Sequence, residues 1–199
     1  MSKIALIIVD LQNDFMPGGS LGVNQGTETV TAANKLIASG AYDLIVATQD
    51  WHPANHSSFK ANDPQNGIWP VHCVQGTKGA ELHKDLDTTK IAKVFQKGVN
   101  TEVDSYSGIQ DNDKKSSTGL AEYLKANGID EVHVMGLATD YCVKATALDA
   151  ISQGFQTTLL SFASRAVNID PNDEKKALAE VVAAGGTVVD QAPAEVSVS

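Results

Sequence analysis

Cysteine is scarce: Cys73 and Cys142 are the only two in 199 residues. That scarcity excludes a disulfide-stapled scaffold, since a chain of this size can stabilise itself by burial, and both thiols are expected to be free. No apolar run approaches the roughly 20 residues that span a bilayer. A strand-like segment opens within about the first three residues, leaving no room for a signal peptide, so a cytoplasmic protein with no membrane association is expected. Basic charge is short as well. Lys and Arg number 15 against 24 Asp and Glu, a formal net charge of -9, which argues against nucleic acid as a partner because phosphate binding is built from clustered cations. Two catalytic signatures are missing. The first strand is followed by Leu11-Gln12-Asn13-Asp14-Phe15 rather than Gly-x-Gly-x-x-Gly, which disfavours a dinucleotide enzyme, and no Gly-x-Ser-x-Gly elbow nominates a serine hydrolase.

What is present is a repeated β-α pattern. Short apolar, β-rich runs recur at 4–9, 43–48, 91–96, 131–136, 156–161 and 187–189, separated by segments with helical periodicity. Thr27–Ser39 carries Val30, Ala33 and Ile37 on one stripe before Gly40. Leu120, Tyr123 and Leu124 stripe a second helix before Gly128, and Asp170-Pro171 reads as the N-cap and first turn of a helix running to about Ala184. Ile4–Val9 and Val132–Met135 read as strands buried on both faces, as parallel strands are. The expected fold is a three-layer α/β/α sandwich on a mostly parallel sheet, one domain over 1–191 with a frayed tail over 192–199. Two stretches interrupt the pattern. The segment from Asp50 to about Glu81 holds both tryptophans and three of the five histidines, which favours a functional loop over a disordered insert. Val99–Thr118 is polar, with Asp111–Ser117 expected at the surface.

Chemistry gathers at the strand ends. Cys142 sits where the run ending at Gly136 passes into a helix-like segment, a place where the helix dipole favours a thiolate and backbone N–H groups can hold an oxyanion. Taken alone, it reads equally as a small buried apolar residue. Asp10 ends the first strand and Lys97 the third, and in a parallel sheet such ends converge on one edge; separately, the acid reads as a loop cap and the lysine as surface. Asp50 and His52 point to one side of an extended strand end, and the turn at Pro53 can bring His56 back towards them, with His72 further on. One carboxylate and up to three imidazoles suit zinc, iron or manganese; the alternative is a polar loop with solvated histidines. Cys73 is expected to pack beneath that loop. His83 and His133 show no partner pattern.

Seven blocks in order carry a resemblance. They are Val9-Asp10-Leu11-Gln12-Asn13-Asp14-Phe15, Pro17-Gly18-Gly19-Ser20-Leu21, and Thr48-Gln49-Asp50-Trp51-His52-Pro53 with His56 and Ser58-Phe59. The rest are Trp69-Pro70-Val71-His72-Cys73-Val74, Lys97-Gly98, Asp104-Ser105-Tyr106-Ser107 and Gly136-Leu137-Ala138-Thr139-Asp140-Tyr141-Cys142-Val143. Together they resemble the isochorismatase-like cysteine hydrolases and, within them, the nicotinamidases or pyrazinamidases. The resemblance implies hydrolysis of nicotinamide to nicotinate and ammonia through a cysteine thioester, activity on pyrazinamide, and a role in NAD salvage. It assigns catalysis to Asp10, Lys97 and Cys142 and an oxyanion hole to the Ala138 and Cys142 backbone, beside a cis peptide at Leu137-Ala138. It gives one divalent metal, zinc ahead of iron or manganese, to Asp50, His52, His56 and His72, and an aromatic pocket to Phe15, Leu21, Trp69, Tyr106 and Tyr141. The expected partner is a small aromatic amide, and the assembly a monomer or small homo-oligomer. The alternatives are sister amidohydrolases of the N-carbamoylsarcosine or ureidoacrylate type and a catalytically silent relative. The metal residues weigh against the first and the intact Asp, Lys and Cys against the second.

Overall fold

The computed structural model describes residues 2–192. Six strands, β1 (Ile4–Val9), β2 (Leu44–Asp50), β3 (Lys93–Lys97), β4 (Glu131–Gly136), β5 (Gln156–Leu160) and β6 (Thr187–Val189), form one sheet in the order β3-β2-β1-β4-β5-β6. Every pairing is parallel. The helices are α1 (Thr27–Ala38), α2 (Leu120–Ala126), α3 (Lys144–Ser152) and α4 (Asp173–Ala183). Alternation along β1 builds the layers, because successive side chains leave a strand on opposite faces. Leu6 and Ile8 pack with Val30, Ala33, Leu36 and Ile37 of α1. Ala5, Ile7 and Val9 pack with Leu120 and Leu124 of α2, Ala147 and Ala150 of α3, and Val181 of α4. The result is the expected three-layer α/β/α sandwich. Strand order reverses between β1 and β4, and the crevice beyond the carboxyl ends of those strands is where ligands of open parallel sheets bind.

Several boundaries differ from the sequence expectation. Strand β2 runs on to Asp50 and β3 to Lys97, so both residues lie within strands and pair in register. Helix α4 starts at Asp173, because the Asp170 N–H donates to Asp173 Oδ2 and the Asn172 N–H to Asp170 Oδ1, closing a turn that holds Pro171 outside the helix. Cys142 precedes α3 in a π-helical turn over Thr139–Val143, where the Val143 N–H donates to Ala138 O, five residues back. The Leu137–Ala138 peptide is cis. His133 has partners after all: Nδ1 lies 2.9 Å from the Tyr42 hydroxyl and Nε2 3.0 Å from Glu131, leaving β4 half-covered at that point. Asp111 is buried, whereas residues 112–117 are exposed. The expected tail lies, beyond Ala192, outside the described residues. Among those described, no helix is long and apolar enough to cross a membrane.

The segment after β2 has little regular structure, yet it is tied down. The His52 N–H donates to Cys73 O and the Gln75 N–H to His52 O, a parallel bridge that lays 73–75 beside the end of β2. Asp14 accepts the Cys73 N–H at 2.7 Å. Buried Gln12 is the central tie: its amide donates to Asp50 O and Ala80 O, both at 2.8 Å, and its Oε1 accepts the Asp50 N–H at 2.9 Å. Gln12→Leu strands these backbone groups, each costing about 1–3 kcal/mol when left unpaired. A destabilisation of about 2–3 kcal/mol in urea unfolding is therefore expected.

Candidate active site

Reading across the sheet, Lys97 ends β3, Asp50 ends β2, Asp10 follows β1, and Cys142 lies in the turn after β4. The register puts Asp50 opposite Lys97 and Val9 opposite both Thr48 and Gly136. Gly136 has φ 131°, and a Cβ there would collide with the carbonyl oxygen of Val9, so only glycine lets β4 leave the sheet this close to β1. The result is one buried cluster. Lys97 Nζ lies 2.9 Å from Asp10 Oδ2, 2.5 Å from Asp50 Oδ1, 3.0 Å from Ser105 O and 3.4 Å from Cys142 Sγ. The Thr48 hydroxyl donates to the other Asp10 oxygen at 2.7 Å.

Burial sets the proton affinities. It raises the Asp10 carboxyl above its usual value, with Lys97 opposing and Asp50 adding. Burial acts on Asp50 as well, but the Lys97 charge, with His52 adding, outweighs it and holds that carboxyl well below the usual range. For Lys97, desolvation is overcome by Asp10 and Asp50, so the ammonium is held well above its ordinary range. Burial also carries the Cys142 thiol well up, Lys97 opposing, while the Asp10 and Asp50 charges add to the rise. The helix-dipole expectation of a ready thiolate is thus corrected. The surroundings favour the neutral thiol, because burial and two carboxylates outweigh one lysine and a helix end.

Beside this cluster, Asp50 Oδ2 faces two imidazoles, His52 Nε2 at 3.4 Å and His72 Nε2 at 3.7 Å. Each ring has its other nitrogen against a backbone carbonyl: His52 Nδ1 donates to Gly98 O and His72 Nδ1 to Pro70 O, both at 2.8 Å. These bonds fix the tautomers and turn both Nε2 lone pairs towards Asp50. His52 Nε2 is buried without a hydrogen-bond partner, a cost that a divalent cation bound to this N, N, O set would remove. The donor set fits such an ion. His56 packs against His52 with ring centroids 4.2 Å apart, but its Nδ1 takes hydrogen bonds from Ser58 and its Nε2 faces Val103 O. It groups with His52 and Asp104, not with Asp50 and His72. Cys73 is fully buried beneath the loop and joins neither group.

Above the thiol opens a narrow cavity. All five expected pocket residues line it, together with Val23, Val167 and Ala138, while Cys142, Asp50 and His72 form its reactive end. Trp69 stands edge-on to Tyr141 at 5.1 Å and donates from Nε1 to the Tyr106 hydroxyl at 3.2 Å. Gln12, Thr48 and Asp104 were quoted in the sequence blocks without roles. The first two hold Asp50 and Asp10 in place, and Asp104 lines the cavity. No spacing signal pointed to Val23 or Val167. An aromatic slot ending on a thiol and a carboxylate, with the buried Lys97 ammonium behind them, suits acyl transfer through sulfur.

Comparison with known proteins agrees with this geometry. An isochorismatase domain is matched over residues 4–193. The chain is 45% identical to the nicotinamidase of Escherichia coli (strain K12), covering 94% of this chain and 95% of that one. Among solved structures, the nicotinate complex of PnC1 from L. infantum is 42% identical with a TM-score of 0.89, covering 94% and 92%. The zinc complex of the pyrazinamidase of Pyrococcus horikoshii is 41% identical with a TM-score of 0.81, covering 95% and 99%.

One residue tests the metal geometry without touching a ligand. Gly98 has φ 66° and accepts the His52 Nδ1–H through its carbonyl, and a Cβ there would run into the His52 ring. Gly98→Ala is expected to lower bound metal at least tenfold, the scale seen when outer-shell partners are lost. Elemental analysis after dialysis checks it; retention of full metal content would show that His52 orientation does not govern the site.

Proposed function

The chain belongs to the isochorismatase family, and we propose that it hydrolyses nicotinamide to nicotinate and ammonia through a thioester on Cys142, with pyrazinamide as a second substrate. It is an amidohydrolase. The observation that carries this reading is the Cys142 thiol 3.4 Å from the Lys97 ammonium, which lies 2.9 Å from Asp10, at the end of an aromatic cavity. The E. coli relative and the L. infantum and P. horikoshii structures support the choice of a pyridine or pyrazine carboxamide.

In this mechanism Asp10 takes the Cys142 proton as sulfur attacks the carboxamide carbon. Lys97 stays charged throughout and compensates the new thiolate. The oxygen of the tetrahedral adduct faces the Ala138 and Cys142 N–H groups, an interaction worth roughly 3–4 kcal/mol per donor. Asp10 returns its proton to the departing nitrogen, which leaves as ammonia. Asp10, again a carboxylate, then takes a proton from a water whose oxygen attacks the thioester; that proton passes to the departing sulfur, and the acid leaves, losing its remaining proton to solvent as nicotinate. Asp50, His52 and His72 would hold a zinc ion, with His56 at its edge; when bound, the ion supplies an electrophilic anchor for the ring nitrogen. Trp69, Tyr106 and Tyr141 clamp the ring and exclude water. Two unpaired thiols and the small-molecule pocket fit a cytoplasmic enzyme with no nucleic-acid partner.

Cys142→Ala should cut ammonia release from nicotinamide by at least about 10³-fold while leaving metal content intact. Normal release would remove Cys142 from the reaction. A chelated sample should lose nicotinamide turnover and regain it with added zinc; unaffected turnover would take the metal out of the mechanism. The pH profile carries a sign. Asp10 must be unprotonated to act, and its proton affinity is raised by burial, so kcat/KM falls with decreasing pH in a limb centred above about 3.9, the ordinary aspartate value. A limb at or below that value would assign the base elsewhere.

A further inference from the structure

Asp140 takes no part in the mechanism above, yet it ties the nucleophile's turn to one wall of the cavity. It stands two residues before Cys142 in the π-helical turn, and the segment from Arg165 to Asn168 is clasped to that region. The Arg165 N–H donates to Gly136 O at 3.3 Å and the Thr139 N–H to Arg165 O at 2.9 Å. Further along, the Asp140 carboxylate accepts the Val167 and Asn168 N–H groups at 2.9 and 2.8 Å, one on each oxygen. Only this last pair of bonds bears on the pocket directly, because Val167 is the residue of the segment that lines the cavity. Val167 belongs to no helix or strand, and the chain beyond it is exposed from Asn168 to Asn172. Regular pairing therefore does not hold this wall. Asn168 has φ 51°, a left-handed turn in which successive N–H groups can converge on one anion. The anion is Asp140, only 5% exposed, and its charge-assisted bonds are about twice as strong as neutral ones.

We propose that Asp140 is a positioning residue that sets substrate specificity: by fixing Val167 at the edge of the cavity it decides which ring substituents the enzyme accepts. The inference rests on the nicotinamide reading of the site and deepens it, from an aromatic amide to one whose ring edge at Val167 is bare. A carboxylate is needed because both groups it holds are donors. An asparagine offers one oxygen and turns an N–H2 group towards the second N–H, so Asp140→Asn keeps the size of the side chain while releasing half of the clasp.

The test compares wild type, Val167→Ala, Asp140→Asn, Asp140→Glu and the Asp140→Asn/Val167→Ala double variant as zinc-loaded enzymes. Ammonia release gives kcat and KM for nicotinamide and for nicotinamides methylated at each free ring carbon in turn. Val167→Ala should raise kcat/KM for at least one methylated amide, relative to nicotinamide, by about tenfold, the scale of one methyl group fitted into a pocket. Asp140→Asn should favour the same methyl position by about threefold, and should raise KM for nicotinamide more than it lowers kcat. In the double variant the selectivity should match that of Val167→Ala alone, because a wall already cut back leaves Asp140 nothing to place. Asp140→Glu keeps both acceptors but moves them by one methylene, so it too must change methyl tolerance, and either Asp140 variant that folds gives the reading. Loss of kcat with methyl tolerance unchanged would make Asp140 a support of the Cys142 turn and overturn the proposal. Additive selectivity shifts in the double variant, or no shift in Val167→Ala, overturn it as well. If wild type releases no ammonia from nicotinamide, the proposed activity fails and this inference falls with it; turnover with methyl tolerance unmoved by the Asp140 variants sinks the inference alone.

Discussion

The Lys97 ammonium makes the rest of the site possible. Two carboxylates, Asp10 and Asp50, stand at 0% and 4% exposure, and moving either from water into such surroundings unpaired costs several kcal/mol. A single buried cation 2.9 Å from one and 2.5 Å from the other offsets both. The partition is uneven. Asp50 also faces two imidazoles and is held firmly ionised, whereas Asp10 keeps a raised proton affinity. Two like groups in one cluster are thereby set apart, and in the proposed mechanism one anchors the candidate metal ligands while the other serves as base to the thiol. Parallel pairing delivers this arrangement, because Lys97, Asp50 and Asp10 finish neighbouring strands and Cys142 follows the next one across.

The same economy governs the metal ligands. Backbone carbonyls from two separate loops, Gly98 and Pro70, take the Nδ1 protons of His52 and His72, leaving both lone pairs aimed at Asp50. That orientation requires the long segment after β2 to be fixed, and the fixing comes from residues near β1, Gln12 and Asp14. The first βα connection therefore supplies both Asp10, the proposed base, and the ties for the histidine loop.

Strand ends were legible from sequence because buried parallel strands are short uninterrupted apolar runs, and the polar residue that ends each run marks the edge where ligands bind. Asp10 and Lys97 were placed on that edge by this pattern and Cys142 by the passage from strand to helix, and the structure brings the three together. Ligand geometry was less legible. Spacing put His56 beside Asp50, yet its ring nitrogens are engaged by Ser58 and Val103, a long-range outcome that no local pattern encodes. The start of α4 slipped for a different reason: Asp170 is a good cap by type, but its carboxylate bonds Asn172 in a preceding turn. Val23 and Val167 reach the pocket only through tertiary folding, and Val167 is placed by Asp140, whose oxygens accept the Val167 and Asn168 N–H groups at 2.9 and 2.8 Å. The family resemblance supplied roles that composition and periodicity alone left open.

A buried thiol with raised proton affinity looks like a poor nucleophile, but the relevant quantity is the cost of transfer, not of ionisation. Moving the proton from Cys142 to Asp10 neutralises one anion as it creates another, so the number of charges in the cluster is unchanged. Desolvation, which opposes ionising either group alone, largely cancels in that exchange. Lys97 lies within reach of both partners and compensates the negative charge on whichever of them carries it. Burial then helps in a second way, since a thiol at rest is less open to oxidation than a standing thiolate. The nucleophile is formed only during attack, where the incoming carbonyl draws off the charge as it appears.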